Sequence, residues 1–137
     1  MKLTIHQIDA FSSELFKGNY AAVIPLESWL SDDLMLNIAS ENNVSETAFT
    51  CQSADGSFAI RWFSPLMEID FCGHATLAAA YVLCEQHSIS QVRFSAEAVG
   101  ELIVNKNNDG SFAMTFPKQA PEEVQLIPDA LLAGLSI

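Results

Sequence analysis

The sequence predicts an α+β domain in which a curved sheet, mixed or antiparallel, wraps around a buried central helix. Its length of 137 residues suits one domain. Apolar residues make up 50% of the chain, which is enough for a packed core and excludes a chain that is disordered throughout. Strand-like segments stand on both sides of one apolar helical segment and do not alternate regularly with helices, so a doubly wound parallel sheet is not expected.

The first two strands are predicted from short apolar patterns. Alternation over residues 3–11 predicts an opening strand. A loop is predicted after this strand, and Gly18 and Asn19 are typical loop residues within it. The apolar run Tyr20–Ile24 then predicts a second strand that ends at Pro25.

A surface helix is predicted from Ser31 onward, where apolar residues take helical spacing. Ser31 suits the N-cap, and the two aspartates after it suit the positive end of the helix dipole.

Two paired strands are predicted around the turn Ala54–Ser57, at Thr47–Cys51 and Phe58–Phe63. A loop is expected to carry the chain through Met67–Asp70.

The segment Ala75–Cys84 predicts the buried helix. Nine of its ten residues are apolar, so the helix has no polar side to turn toward solvent. Its many alanines would let strands approach closely. Three more strands are predicted after it, at Gln91–Ser95, Gly100–Asn105 and Ser111–Phe116, with a strong hairpin turn at residues 107–110 between the last two.

The C-terminal segment is predicted to be a connector followed by the start of a helix. Pro117, Pro121 and Pro128 mark extended chain, and Pro128 with Asp129 suits a helix N-terminus. We therefore expect one lobe over residues 1–117, with residues 118–137 outside it.

Charge and hydropathy exclude several classes of function. The net charge is −11, and the six lysines and arginines are scattered along the chain, so no basic stripe for nucleic acid is predicted. No apolar stretch is long enough for a membrane span and no leader pattern is visible. Charged residues make up 17% of the chain, against roughly 25% in a typical soluble domain. A partly covered surface, or a rich core with an acidic surface, would explain that.

The cysteines and histidines do not predict a metal centre or a cofactor site. The three cysteines have no Cys-x-x-Cys spacing, so we expect reduced thiols in a cytoplasmic protein. His6 and His87 have no partners at metal-ligand spacing, and no glycine-rich phosphate loop is present.

Glu46 and His74 are the candidate catalytic residues. A general acid/base at Glu46 needs apolar surroundings that raise the pKa of the carboxyl group, whereas a lone glutamate at a strand start is usually just solvated. His74 stands at the start of the buried helix beside Gly73, where backbone amides form a site for a carboxylate. A histidine that caps the helix or satisfies a core hydrogen bond is the alternative.

The candidate substrate-binding residues are Gly73, Asn19, Ser45 and Cys72. A thiol near a helix N-terminus has a lowered pKa and could act as an acid/base or nucleophile, although a buried, inert cysteine is the more common situation. Gly18 and Asn19 form either a plain turn or a bend that aims an amide at a substrate.

Taken in order, five segments resemble the phenazine-biosynthesis PhzF-like family of isomerases and epimerases. The resemblance extends to about Pro117. The segments are Ile8–Phe11, Gly18-Asn19, Asn43–Phe49, Arg61–Pro65 and Glu68–Leu77.

The resemblance implies a fold like that of diaminopimelate epimerase, with two similar halves and an active site in the cleft between them. It implies a cofactor-independent enzyme, commonly a homodimer, that moves protons on small carboxylic or amino acids. In the family's named member the substrate is dihydro-hydroxyanthranilic acid. Glu46 matches the family's general acid/base, and Gly73 and His74 match a loop that contacts the substrate.

This sequence also departs from the family pattern. Tyr20 follows the Gly18-Asn19 turn where proline is common, and Cys72 stands where many members have alanine. Cys72 is similar to one thiol of the cysteine pair in related epimerases, but a Cys72-based racemase would need a second thiol from a partner chain. The sequence matches one half of the two-lobed arrangement. A non-catalytic lobe for dimerisation or protein interaction is therefore the alternative to an isomerase.

Overall fold

A computed structural model describes residues 1–115, 118, 120–124 and 126–136 of the chain. Within these ranges the chain forms one sheet and three helices. In chain order the elements are β1 His6–Ala10, β2 Asn19–Leu26, α1 Asp32–Asn42, β3 Thr47–Gln52, β4 Phe58–Phe63, β5 Glu68–Ile69, α2 Gly73–His87, β6 Gln91–Ala96, β7 Gly100–Lys106, β8 Phe112–Thr115 and α3 Asp129–Gly134.

The sheet is mixed, with strand order β1-β2-β3-β4-β6-β7-β8 and with β5 paired to β4. The pairs β2–β3 and β4–β6 are parallel, and the other pairs are antiparallel. Parallel neighbours need a crossover connection, and α1 and α2 supply the two crossovers. The prediction of an α+β domain with a curved sheet around one helix is confirmed.

Alternation along the strands divides the core into two parts, because successive side chains of a strand point to opposite faces. One face packs on α2, and it includes Val23, Ala48 and Trp62. The other face packs on α1, and it includes Phe49 and Phe63. The sheet therefore separates a core around α2 from a smaller core under α1.

Helix α2 is the centre of the fold and packs against β1, β2, β3, β6, β7 and β8. Its alanines at positions 75, 78, 79 and 80 are at most 1% exposed. Because alanine adds only a methyl group beyond the backbone, strands can approach the helix axis from several sides. The prediction that the helix is buried on every side is wrong at Tyr81, which is 43% exposed. Tyr81 contacts Phe112 at the start of the terminal strand β8.

The predicted hairpins and the predicted capping residue are confirmed. β3 pairs antiparallel with β4, and β7 pairs antiparallel with β8. The Oγ of Ser31 accepts a hydrogen bond from the backbone amide of Leu34 in the first turn of α1. The predicted end of β8 at Phe116 and the predicted lobe boundary at Pro117 lie outside the described residues, as does Ile137.

Two predicted boundaries are wrong. β2 continues through Pro25, which pairs with Thr50 of β3. Since the pairing of β2 with β1 ends at Val23, the proline lies where one side of the strand has no partner, which is where sheets tolerate proline. Part of the predicted loop at residues 67–70 is the short strand β5. The sequence did not predict this strand, because two residues are too few to show an alternating pattern.

Arg61 ties three elements together on the face of the sheet that carries α1. Its Nε and Nη2 each donate to a carboxylate oxygen of Glu68 at 2.6 Å, and its Nη1 donates to Asp32 at 2.9 Å. The hydrogen bonds to Glu68 are the main cause of the raised pKa of Arg61. This pairing holds β5 and the first turn of α1 against β4.

No helix among the described residues is long and apolar enough to cross a membrane.

We predict that Arg61→Gln lowers the free energy of unfolding by about 1–2 kcal/mol, because a bidentate and partly shielded charge pair is worth more than an exposed one. Urea denaturation measures the loss. Arg93→Gln is the matched control, since Arg93 makes a single contact of 3.3 Å with an exposed aspartate, Asp55, and should lose less. Equal losses in the two variants would contradict the role given to Arg61.

Candidate active site

Glu46 lies directly before β3 and faces the central helix. Its carbonyl oxygen accepts a hydrogen bond of 3.1 Å from the amide of Ala22, so the β2–β3 pairing extends to it. Glu46 precedes Ala48 by two residues, and Ala48 packs in the core around α2. The period of two along a strand therefore turns the side chain of Glu46 toward α2.

His74 is brought to the same place by the start of α2. Cys72 is the N-cap residue in an extended conformation, and its side chain makes no capping hydrogen bond. Instead, its carbonyl oxygen accepts hydrogen bonds from the Oγ1 and the backbone amide of Thr76. The first turn of α2 contains no acidic residue, and Glu46 brings a carboxylate to this helix end from another element.

The side chains of Glu46, Cys72 and His74 form one cluster, which we call the acid/base cluster. Nε2 of His74 lies 3.1 Å from Oε2 of Glu46, and Nδ1 of His74 lies 3.3 Å from Sγ of Cys72. The side chains of His74 and Glu46 are 11% and 22% exposed. The imidazole therefore stands between a carboxylate and a thiol in a largely buried place.

The atoms of Glu46 and His74 that face each other keep free hydrogen-bonding capacity. Oε2 of Glu46 and Nε2 of His74 are both buried and have no hydrogen-bond partner among the described residues. Their 3.1 Å separation is an ion-pair distance, but the two groups are not aligned for a hydrogen bond. Buried polar atoms nearly always have partners, so two unpartnered ones side by side indicate a place where a substrate or a mobile proton binds.

Burial is the main cause that raises the pKa of the Cys72 thiol to about 11, and the negative charge of Glu46 acts in the same direction. The backbone amides of Ala75 and His74 act in the opposite direction. Cys72 is thus a neutral thiol at physiological pH. The alternative of a buried, inert cysteine is therefore favoured over a thiol activated by the helix N-terminus, because desolvation outweighs the contribution of the amides.

Of the other predicted substrate-binding residues, Gly73 and Ser45 adjoin the cluster in the sequence and Asn19 does not. Gly73 is the first residue of α2, and a Cβ there would come no closer than 3.7 Å to a neighbouring atom, the Cε of Met114. Ser45 is exposed beside Glu46. Asn19 is exposed at the start of β2, and since β2 and β3 are parallel, it lies at the same end of the sheet as Glu46. Their roles in binding stay predictions.

Gly18 allows the turn before Asn19 to close tightly. A Cβ at Gly18 would collide with the carbonyl oxygen of Ala10, and Ala10 pairs with Asn19. The absence of a side chain at Gly18 therefore permits the close approach of β1 and β2 at this end of the sheet.

The geometry of the acid/base cluster suits proton transfer better than metal binding. One ligand atom from each of its three residues lies within 4.8 Å of the others. However, Cys72 faces Nδ1 of the imidazole and Glu46 faces Nε2. A metal ion would bind only one of the two ring nitrogens, so the present contact at the other nitrogen would have no role in such a site.

Trp62 lies near this site, and the sequence predicted no role for it there. It pairs with Ala48 in the sheet, and its ring stands edge-on to Phe71 at 5.7 Å. Its Nε1 is buried with no hydrogen-bond partner among the described residues. A tryptophan in a strand is most simply interpreted as core, and no pattern in the sequence marks its indole nitrogen as unpaired.

Comparison with known proteins identifies the class to which this fold and cluster belong. The family model described as "Phenazine biosynthesis-like protein" (PhzC-PhzF) matches residues 8–137. A crystal structure of a PhzF-family phenazine biosynthesis protein from Enterococcus faecalis matches with a TM-score of 0.86 and 44% identity, over 97% of this chain and 51% of that one. A predicted epimerase from Pseudomonas aeruginosa matches with a TM-score of 0.70 and 25% identity, over 81% and 41%.

A curated relative extends the comparison to isomerases. An uncharacterized isomerase of Pseudomonas aeruginosa is 49% identical over 138 residues, which cover 100% of this chain and 52% of that protein. The fold is the PhzF and diaminopimelate epimerase-like fold, and the names of its relatives are those of isomerases and epimerases. The chain belongs to the phenazine biosynthesis-like PhzC-PhzF family. It spans about half the length of the relatives it matches.

Proposed function

We propose that this protein takes part in a cofactor-independent isomerase or epimerase reaction. The reaction moves a proton on a small carboxylic or amino acid, with Glu46 as the general acid/base. The observation that carries the proposal is the buried contact of 3.1 Å between Oε2 of Glu46 and Nε2 of His74. Both atoms lack a hydrogen-bond partner among the described residues, so they are free to exchange a proton with a substrate.

The proposed step begins with the Glu46 carboxylate taking a proton from a carbon next to the substrate's acid group. The C–H bond breaks, and its electron pair moves into the neighbouring unsaturated group of the substrate. The protonated Glu46 then returns the proton to another carbon or to the other face of the same carbon. His74, within reach of the same carboxylate oxygen, assists by holding or relaying the proton.

The start of α2 supports binding of the substrate's carboxylate. The helix has 15 residues and no side-chain cap, so its first turn offers backbone amides and a partial positive charge. The protein carries a net charge of −11, so an anionic substrate must be attracted by such local donors and not by the overall field. Gly73 leaves room for that approach.

Solvent-deuterium exchange tests the proposal. We expect the protein in D2O to exchange one carbon-bound hydrogen of a small carboxylic or amino acid in a panel followed by proton NMR. Glu46→Gln keeps the shape and removes the base, and should slow exchange by about 10²- to 10⁴-fold.

The matched control for this prediction is Glu41→Gln, because Glu41 is an exposed glutamate of α1. It should exchange at the wild-type rate. Exchange at the wild-type rate by Glu46→Gln would remove Glu46 from the mechanism, and no exchange on any member of the panel would contradict the reaction class.

We propose a second candidate function, a lobe that associates with a second copy of itself, because exposed apolar side chains line a groove on its surface. A groove of about 910 Å³ lies where β1 and α2 approach the start of β8, and its lining includes Phe11, Leu15 and Phe16. These three side chains are 74%, 80% and 93% exposed. An apolar patch of this kind is typical of a surface that another protein covers.

Sedimentation measures this association. We expect the protein to be a dimer that Phe16→Glu dissociates, since a charge in the apolar patch would have to be desolvated on contact. Leu66→Glu is the control, because Leu66 is 85% exposed and is not among the residues that line the groove. A monomer at all concentrations would overturn the homodimer, as would equal dissociation by both variants.

A further inference from the structure

We infer that Cys72 is a positioning residue, whose thiol donates a hydrogen bond to Nδ1 of His74 and so keeps the imidazole in the tautomer that carries its proton on Nε2, facing Glu46. The inference deepens the proposed function, because it specifies the state in which His74 meets the acid/base Glu46. Its test measures the imidazole itself and does not depend on turnover.

The contact between Cys72 and His74 has a preferred direction. Sγ lies 3.3 Å from Nδ1, within hydrogen-bonding distance for sulfur. Burial keeps the thiol protonated at neutral pH, since it raises the pKa to about 11. A thiol sulfur is a weak acceptor, whereas an unprotonated imidazole nitrogen is a good one. The contact is therefore better made with the S–H as donor and Nδ1 as acceptor.

The contact on the other side of the ring favours the same tautomer. Oε2 of Glu46 lies 3.1 Å from Nε2. A proton on Nε2 would place a positive N–H dipole near the carboxylate oxygen. The opposite tautomer would place the Nε2 lone pair against that oxygen, in a place where little water is available to screen the repulsion. The thiol and the carboxylate thus specify one tautomer from opposite sides of the imidazole.

The local backbone explains why residue 72 can hold the ring. Cys72 precedes the first residue of α2 in an extended conformation, and its side chain does not cap the helix. Its sulfur is thereby free to meet the ring of the residue two positions later. Alanine at this position would leave Nδ1 without the thiol, whereas serine would offer a hydroxyl donor.

The experiment is ¹⁵N NMR of the histidine rings in the whole chain, at about pH 8, above the usual pKa of histidine. In the native protein we expect Nδ1 of His74 to be unprotonated and Nε2 to be protonated, with well-separated resonances. His74→Asn assigns the signals among the three histidines. A native ring with its proton on Nδ1, or one protonated at both nitrogens, would overturn the inference without any variant of Cys72.

Two variants of Cys72 and a matched control complete the test. Cys72→Ala should bring the two ring resonances of His74 closer together, because only Glu46 then favours the Nε2–H tautomer and the other tautomer becomes partly populated. Cys72→Ser should restore the separation. Cys84→Ala is the control, since Cys84 is a buried cysteine of the same helix, and it should leave His74 unchanged. An unchanged His74 in Cys72→Ala would overturn the inference.

The outcomes separate this inference from the proposed function. Wild-type deuterium exchange by Glu46→Gln would refute the catalytic role of Glu46 and leave the tautomer of His74 as measured. The Nδ1–H tautomer in a protein whose exchange depends on Glu46 would refute the role of Cys72 alone.

Discussion

The structure depends on the close packing of one sheet around the alanine-rich helix α2. Alanine at positions 75, 78, 79 and 80 keeps the helix narrow, so strands on several sides can pack closely against it. Larger side chains there would push the strands outward and open the curvature of the sheet. The same packing fixes where α2 begins, because the helix cannot slide along its axis without losing these contacts. The position of His74 follows from that constraint.

Two ordinary features of local structure bring the residues of the site together at one end of the sheet. Strand alternation turns Glu46 inward, and the N-cap geometry at Cys72 places the ring of His74 beside it. Neither element carries strain that would need an explanation. The proposed chemistry relies on a buried carboxylate oxygen and a buried imidazole nitrogen that face each other without a hydrogen bond. In this respect the site resembles other places where proteins leave polar groups ready for a ligand.

The sequence predicts most of the fold because its elements have strong local signals. Ser31 marks the start of α1, and the apolar run before His87 marks α2. The continuation of β2 through Pro25 was not predictable, since it depends on where β1 ends. Glu46 and His74 could be named from the residues and the family pattern, but their contact could not, because it depends on the register of distant strands. The sequence left open whether Cys72 is activated by the helix end or is buried and inert, because burial is a property of the packed structure, whereas the helix end is visible in the sequence.

We propose that Glu46 and His74 act as one unit in proton transfer. A double-mutant cycle on the rate of solvent-deuterium exchange tests it most directly, with Glu46→Gln, His74→Asn and the double variant compared with the wild type. If the two residues share one proton-transfer step, their effects are strongly non-additive. We expect the double variant to be no slower than the slower single variant. Losses that multiply in the double variant would show that the two residues act independently and would contradict a shared step.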